Sequence, residues 1–271
     1  MAEISLPRLV GAVDSYFMPR NREVCVYLTP GLMPEGALRG HTAIVIDVLR
    51  ATTSMIHALA AGAKTILPTA EIDDARHLAG SCTGKAVLAG ERNGTKIPGF
   101  DLGNSPADFK AAVIRDATLI MCTTNGTPAL IAASAAEHVL IAAFVNFSAV
   151  CEQLESDSRP IDIICSGRKG TPSFEDTLLA GAIVDHLCET SDVNLNDAAR
   201  LAWDSFENQG EILLGALEVS SAGEELIALG LAADLRDAVQ VDRFNFAAEL
   251  RRDPLRVEVC SAGIKRSHWP K

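Results

Sequence analysis

The sequence contains few basic and few aromatic residues. Its 271 residues include 24 Lys and Arg against 35 Asp and Glu, a formal net charge of −11 at pH 7, and only 5% are aromatic. Because nucleic-acid binding requires a concentrated basic surface, we expect no nucleic-acid partner. A small anionic ligand is not excluded, since local arginines, backbone N–H groups or a metal can outweigh the overall negative field.

Long apolar runs and paired metal-ligand motifs are also missing. No run approaches the roughly 20 residues of a membrane span, and the N-terminus lacks the charged-then-apolar pattern of a signal peptide. The seven cysteines show no C-x-x-C spacing, which favours small buried side chains in a reducing compartment over disulfides or a zinc site. We therefore expect a cytoplasmic protein without a membrane partner.

The apolar residues that are present alternate between short runs and longer helical patterns. Strands are predicted at 24–28, 43–48, 65–67, 86–89, 117–122, 139–143 and 161–165. Helices are predicted at 53–61, 72–78, 128–136, 148–154 and 174–187, followed after residue 190 by helices alone at 195–207, 209–218 and 222–230. Apolar strands that alternate with helices indicate an α/β fold with a mostly parallel sheet covered on both faces, and a helical C-terminal part. One domain over 1–271 is favoured, and a two-lobed arrangement stays open.

Ligands of open α/β sheets bind beyond the carboxyl ends of the strands, and polar residues follow the second predicted strand. Asp47 ends it, and Arg50 and Thr53 lie in the turn into the next helix. An acid in an apolar strand is unfavourable unless it is paired or binds a metal. Asp47 is therefore a candidate metal ligand and catalytic residue, although pairing with Arg50 or capping the helix would also explain it.

Two glycine-framed loops follow the strand at 86–89. The first contains Glu91, Arg92 and Asn93, and the second, at 99–106, contains Asn104. Glycines permit close backbone approach and unusual dihedral angles. The loops are interpreted as catalytic and ligand-binding, against the simpler interpretation of a solvated turn with a surface Glu–Arg pair.

Two more polar segments follow the strands at 117–122 and 161–165. The first is a candidate phosphate cradle formed by hydroxyls and backbone N–H groups. A capped helix start would explain only part of this segment. Its residues are Thr123, Thr124, Asn125, Gly126 and Thr127. The second is the turn 166–170 before Glu175 and Asp176. Either acid is a candidate metal ligand, or Ser173 and Asp176 form a capping box.

Together these loops supply acids, arginines and hydroxyl or amide donors. Carboxylate oxygens suit Mg²⁺, and arginines and helix N-termini suit phosphate oxygens. Phosphoryl transfer requires mainly positioning and charge neutralisation. The combination predicts phosphoryl chemistry on a small anionic substrate.

Several motifs, taken in order, resemble the 2-phosphosulfolactate phosphatase (ComB) family over about residues 23–246. They are the segments 45–54, 90–94, 99–106 and 123–127, with Glu175, Asp176, Gly230, Asp234 and the segment 241–243. The resemblance implies a three-layer α/β/α fold and Mg²⁺-dependent hydrolysis of 2-phosphosulfolactate to sulfolactate and phosphate, as in coenzyme M biosynthesis. A phosphatase for another small phosphorylated hydroxy acid, and a non-catalytic anion-binding protein on the same scaffold, stay open, as does a homo-oligomer.

The hypothesis for the site assigns a role to each candidate. Asp47 and Glu91, with Glu175 or Asp176, hold Mg²⁺, while Arg92 assists in neutralising the phosphoryl oxygens. Arg50 is the candidate for the sulfonate or carboxylate, and further substrate-binding candidates are Thr53, Asn93, Asn104, Thr123, Thr124, Asn125, Gly126 and Thr127. Attack by metal-activated water and attack by Asp47 itself both stay open.

Overall fold

The computed structural model describes residues 22–260. The strands are β1 (Arg22–Tyr27), β2 (Thr42–Ile46), β3 (Thr65–Thr69), β4 (Ala86–Arg92), β5 (Thr95–Lys96), β6 (Thr118–Cys122), β7 (His138–Ala142), β8 (Ile161–Cys165), β9 (Val193–Leu195), β10 (Ala248–Arg251) and β11 (Arg256–Val259). The helices are α1 (Ala51–Ala60), α2 (Ile72–Ser81), α3 (Ala111–Ile114), α4 (Gly126–Ala133), α5 (Phe147–Glu155), α6 (Phe174–Thr190), α7 (Asp197–Gln209), α8 (Leu213–Glu218), α9 (Ser221–Ala228) and α10 (Ala232–Ala238). The predicted domain extent of 1–271 includes residues 1–21 and 261–271, which lie outside the described residues.

The strands form one sheet of 11 strands in the order β5-β4-β6-β3-β11-β10-β7-β2-β8-β1-β9. Within it, β2 pairs in parallel with β7 and with β8, and β6 pairs in parallel with β3 and with β4. The α/β class with a mostly parallel sheet is confirmed. Among the described residues, no helix is both long and apolar enough to cross a bilayer.

Helices cover both faces of the sheet because its central strands carry apolar side chains on both faces. In β2, Ile44 and Ile46 pack in the core formed with α5, α6, α7 and α8. Their neighbours Ala43 and Val45 pack in the opposite core, with α1 and α4. Successive side chains of a strand point to opposite faces, so one continuous apolar run serves two cores. This arrangement is the predicted three-layer α/β/α fold.

The prediction that no strand follows residue 190 is wrong. The edge strand β9 pairs with β1, and the antiparallel hairpin of β10 and β11 inserts into the middle of the sheet between β7 and β3. These short strands alternate buried apolar residues with charged ones, such as Glu249 in β10, which lies 3.2 Å from His138. The charged residues among so few apolar ones made this segment read as irregular.

Two further elements differ from prediction near the site. The strand β4 extends to Arg92, so Glu91 and Arg92 lie on a strand that turns tightly into β5 and not in a loop. The helix α10 was not predicted, although α7, α8 and α9 confirm the helical C-terminal part. Both differences reflect tertiary pairing, which local apolar patterns do not report.

Candidate active site

The predicted loops converge on one main cavity of about 620 Å³, including its open mouth, at the carboxyl ends of the parallel strands. Its lining includes the predicted residues Asp47, Arg50, Glu91, Asn93, Asn104, Thr124, Asn125, Glu175 and Asp176. Further lining residues that were not among the predicted site residues are Leu49, Gly94, Gly167, Arg168, Lys169, Ala222, Glu225 and Leu226. Parallel pairing brings the ends of β2 and β8 together, and likewise those of β4 and β6. The two parallel groups run in opposite directions, because the β10–β11 hairpin joins them through three antiparallel pairings. Close packing of the loops, as between Gly126 and Asp47, brings the carboxyl ends of the two groups into one cavity.

Four carboxylates form the acidic side of this cavity, and we call Asp47, Glu91, Glu175 and Asp176 the carboxylate cluster. All are buried. Burial is the main cause that raises the pKa of Asp47 to about 7; the nearby charges of Glu91 and Glu175 act in the same direction, and hydrogen bonds from the Ala51 N–H and the Ser166 hydroxyl oppose the shift. Mutual repulsion of this kind indicates a site that is short of positive charge.

Gly126 provides the space in which the carboxylate of Asp47 lies. A methyl group at Gly126 would come within 2.5 Å of Oδ2 of Asp47 and 2.4 Å of Cβ of Ala51. Such distances are far below van der Waals contact, so any side chain at this position would displace Asp47 or the start of α1. Gly126 therefore shapes the cavity beside Asp47, and its predicted contact with phosphate stays a prediction.

Glu91 joins two loops of the site. Its Oε1 accepts a hydrogen bond from the Thr124 N–H at 2.7 Å, and its Oε2 accepts from the Thr124 hydroxyl at 3.1 Å. Oε2 also accepts from the Gly94 N–H at 2.8 Å. Because both oxygens already accept hydrogen bonds, Glu91 holds the loop after β6 against the turn after β4.

Asp176 has a similar joining role at the start of α6. Its Oδ1 accepts from the Val48 N–H at 2.8 Å, and its Oδ2 accepts from the Gly167 N–H and the Ser166 hydroxyl, both at 3.1 Å. Burial raises the pKa of Asp176 well above its usual range, and Glu175 and Asp47 raise it further. The capping-box interpretation is wrong, since Ser173 makes no side-chain cap and Asp176 turns toward the loops.

Glu175 differs from its neighbour because one of its oxygens is left without a partner. Its Oε2 is buried and has no hydrogen-bond partner among residues 22–260. Burial raises its pKa, and the charge of Arg168 is among the influences that oppose the shift. A buried carboxylate oxygen that is neither solvated nor bonded is unfavourable, so this atom is suited to receive a ligand.

Arg50 is held by a buried ion pair at the wall of the cavity. Its Nη1 lies 2.7 Å from Oδ2 of Asp234, with both side chains at most 4% exposed. Its Nη2 donates to the Gly94 carbonyl at 2.9 Å, and the other oxygen of Asp234 accepts from the Ser105 hydroxyl at 2.6 Å. Arg50 therefore ties α1 to α10 and to the turn after β4.

Several predicted site residues do not line the cavity. Arg92 directs its guanidinium away, donating to the Ala70 carbonyl at 2.6 Å and to Sγ of Cys122 at 3.1 Å. Thr123 and Thr127 cap each other, with each N–H donating to the other hydroxyl at 3.0 Å, and Thr53 donates to the Val48 carbonyl at 2.8 Å. Their predicted contacts with phosphate stay predictions, while their structural role in holding the loops is direct.

Three charged residues of the cavity were not among the predicted site residues. Arg168 and Lys169 lie in the tight turn after β8, and Glu225 lies on α9 and forms an ion pair with Arg168. The polar turn 166–170 was the sequence signal that could have identified Arg168 and Lys169 as cavity residues. Nothing in the local pattern of α9 distinguished Glu225 from the exposed acid beside it.

The donor set of the carboxylate cluster matches a hard cation only in part. Among the described residues, no group of three His, Cys, Asp or Glu side chains is already arranged around a common metal position. Asp47 and the unpartnered Oε2 of Glu175 nevertheless offer carboxylate oxygens in a cluster that lacks positive charge. Mg²⁺ commonly uses one or two carboxylates with waters and substrate phosphate oxygens, so the residues present fit such an ion.

Comparison with known proteins identifies close relatives over most of the chain. The family described as 2-phosphosulpholactate phosphatase matches residues 27–253. A protein of Caldanaerobacter subterraneus named "Probable 2-phosphosulfolactate phosphatase" is 32% identical over 85% of this chain and 96% of its own length. Proteins with the same name from Clostridium perfringens and Thermotoga petrophila are 33% and 38% identical, over 90% and 79% of this chain and 98% and 90% of their own.

Proposed function

Since the chain belongs to the 2-phosphosulpholactate phosphatase family, we propose that it hydrolyses 2-phosphosulfolactate to sulfolactate and phosphate. The observation that supports this most is the composition of the main cavity. There the carboxylate cluster lies in the same cavity as Arg168, Lys169 and the polar Thr124 and Asn125. Acids that can hold a cation, beside donors that can hold anionic oxygens, are what phosphoryl transfer requires.

We propose that Asp47 and Glu175 are the residues that hold Mg²⁺. Glu91 and Asp176 use both of their oxygens to join loops, so we assign them to positioning and not to direct coordination. A bound Mg²⁺ would neutralise the phosphoryl oxygens and the repulsion among the buried acids. This assignment reduces the four candidate metal ligands predicted from the sequence to two.

The remaining residues of the cavity would orient the phosphoryl group. Thr124 donates both its N–H and its hydroxyl to Glu91, which fixes the loop that carries Asn125. The side-chain carbonyl of Asn125 accepts from the Lys169 N–H at 3.2 Å, which leaves its amide group as a donor to a phosphoryl oxygen. Residues that are already fixed by such bonds bind a ligand with little loss of conformational entropy.

Asp47 is the residue to which we assign the chemical step. Either it accepts a proton from the attacking water, or its carboxylate attacks phosphorus, the bond to the sulfolactate oxygen breaks, and water then hydrolyses the resulting aspartyl-phosphate. Rapid acid quench of a turnover with substrate labelled in its phosphoryl group distinguishes the two. Label on the carboxylate of Asp47 indicates the covalent route, and label in free phosphate with none on the enzyme at any time point indicates direct attack by water.

The activity is tested by measuring phosphate release from 2-phosphosulfolactate with and without Mg²⁺. We expect turnover with Mg²⁺, loss of turnover with excess EDTA, and recovery when Mg²⁺ is restored. Phospholactate, which lacks the sulfonate, is the matched control substrate. A higher kcat/KM for phospholactate would favour a different phosphorylated hydroxy acid, and no phosphate release from any member of the panel would favour an anion-binding protein.

We also propose that the protein acts in the cytoplasm, in coenzyme M biosynthesis. The proposal follows from the substrate, since sulfolactate is a small sulfonated acid that a downstream oxidation or group transfer can use. Cell fractionation checks the location. Loss of the gene should lead to accumulation of the phosphorylated sulfonate, and unchanged levels would contradict the pathway assignment.

A further inference from the structure

The positive charges of the main cavity are held in two different ways. The Arg50–Asp234 pair is almost fully buried, at 4% and 2% side-chain exposure. The Arg168–Glu225 pair is more accessible to solvent, with side-chain exposures of 28% and 33%. Breaking a buried pair leaves an uncompensated charge and is strongly unfavourable, whereas a solvent-exposed pair contributes little and exchanges partners readily. Arg168 is therefore the guanidinium that an incoming anion can recruit.

The backbone of the turn that carries Arg168 is held by hydrogen bonds, whereas the ion pair of the Arg168 side chain is partly open to solvent. The Arg168 N–H donates to the Thr171 carbonyl at 2.8 Å, and the Thr171 N–H donates back to the Arg168 carbonyl at 3.0 Å. Lys169 adopts a φ of 51°, a conformation that is uncommon outside glycine and is found often at functional sites. Its N–H donates to Oδ1 of Asn125 at 3.2 Å. The backbone is thus fixed while the two cationic side chains face the cavity.

The surroundings leave these cations available. Among residues 22–260, no carboxylate lies within ion-pair distance of the Lys169 ammonium. Arg168 also borders a second cavity of about 420 Å³, lined by Thr171, Pro172 and Phe174 among others. Open space therefore borders Arg168 in this second cavity as well as in the main one.

We propose that Arg168 and Lys169 form the subsite for the anionic groups of the substrate that are not transferred, and that the Glu225 carboxylate occupies Arg168 until such a group displaces it. The proposal rests on the proposed function, in which the phosphoryl group lies at the carboxylate cluster. A sulfonate or carboxylate on the same small molecule then needs cations of its own. Glu225 presents Arg168 with a carboxylate, the same chemical group as one of those it would bind.

The test is binding of sulfoacetate, a small anion that carries one sulfonate and one carboxylate and needs no turnover. Dissociation constants are measured by titration calorimetry on the full chain. Glu225→Gln removes the internal competitor, so it should bind sulfoacetate about three- to tenfold more tightly than the unmodified protein. Arg168→Gln removes the recruited cation and should bind about tenfold more weakly. Glu224→Gln, the same change on an exposed neighbour in α9, should bind as the unmodified protein does.

The double variant separates competition from a structural role. If Glu225 acts only by occupying Arg168, Glu225→Gln should have no effect when Arg168→Gln is already present. In turnover with 2-phosphosulfolactate, Glu225→Gln should lower KM and leave kcat within about twofold. Arg168→Lys, which keeps the charge but loses the planar fork, should restore part of the binding and shows that the loop still folds.

Weaker sulfoacetate binding in Glu225→Gln would overturn the proposal, because Glu225 would then position Arg168 for the ligand. An equal effect with and without Arg168 would also overturn it, because Glu225 would then act independently of Arg168. Absence of binding at about 10 mM in both the unmodified protein and Glu225→Gln would also overturn it. The two proposals fail separately. Predicted binding without phosphate release contradicts only the phosphatase assignment, and phosphate release with binding indifferent to Glu225 contradicts only the subsite.

Discussion

Charged side chains lie at both ends of the parallel strands, but the two ends arrange them in opposite ways. At the amino ends, Asp162 lies 2.7 Å from His41 and Asp157 lies 2.9 Å from Arg159; with His138, these residues are called the amino-end cluster. At the carboxyl ends, the carboxylate cluster brings acids together, and the pKa of Asp47 rises to about 7. Opposite charges that pair stabilise a fold, whereas like charges held together are maintained for a ligand.

The sharpest test of this contrast is Asp47→Asn. We expect kcat/KM to fall at least about a thousandfold, because the residue assigned to the chemical step and to the cation is lost. Stability without Mg²⁺ should stay equal or rise, since one repelling buried carboxylate is removed. Asp74→Asn on the exposed face of α2 is the control for the charge change. Near-normal turnover, or a large drop in Tm, would contradict a purely functional role for Asp47.

Arg50 is the exception at the carboxyl ends, because it is paired like the amino-end cluster. Arg50→Gln should lower the free energy of unfolding by about 3–5 kcal/mol, since Asp234 is left buried and unpaired. The apolar pair Arg50→Met with Asp234→Leu should recover much of that stability and, with it, part of the activity. Urea unfolding together with phosphate release checks both parts. If the single variant loses activity at full stability, Arg50 binds substrate directly, as the sequence-based hypothesis held.

Gly126→Ala tests whether the carboxylate cluster requires a residue without a side chain at position 126. The added methyl group would meet Asp47 and Ala51 at 2.5 Å or less, so we expect about 2 kcal/mol of destabilisation and a clear loss of kcat. The control is Gly215→Ala in α8, where no atom lies within 4 Å of the added methyl. That variant should gain about 0.5–1 kcal/mol from helix propensity. Equal effects at the two positions would argue against the close fit at Asp47.

The smallest expected effect comes from Asp157 in the amino-end cluster. Burial raises its pKa, but hydrogen bonds from Arg159 and Thr42 outweigh burial and lower the pKa to about 2. Because the folded pKa is below the unfolded value of about 3.9, Asp157 contributes stability above pH 4 that is lost as pH falls toward 2. Asp157→Asn should therefore cost about 1 kcal/mol at pH 7, after allowance for solvent screening.

Unfolding of Asp157→Asn and the unmodified protein is compared from pH 7 to pH 2. The difference in unfolding free energy should shrink between pH 4 and pH 2, and kcat should be unchanged. A difference that stays constant with pH would show that Asp157 acts through packing and not through its charge.

The sequence allowed prediction of those residues of the candidate site that follow directly after apolar strands. Asp47, Glu91, Thr124 and Asn125 were found this way, and the structure places them around one cavity. The ion pairs with Asp234 and Glu225 could not be found, because they join segments far apart in sequence. Arg92 shows the converse case: a suitable residue type follows an apolar strand, but its guanidinium donates to the Ala70 carbonyl, so its contact with the phosphoryl oxygens stays a prediction.

The same division applies to the fold. Continuous apolar strands alternating with helices were enough to determine the layered α/β architecture and to place the candidate site at the carboxyl ends of strands, because burial on two faces requires apolar residues at every position. Only the tertiary structure decided that the hairpin of β10 and β11 completes the middle of the sheet, and which acids face a ligand and which join loops. Those outcomes depend on pairing between distant segments, and the free energy of a buried charge is set by its neighbours in space.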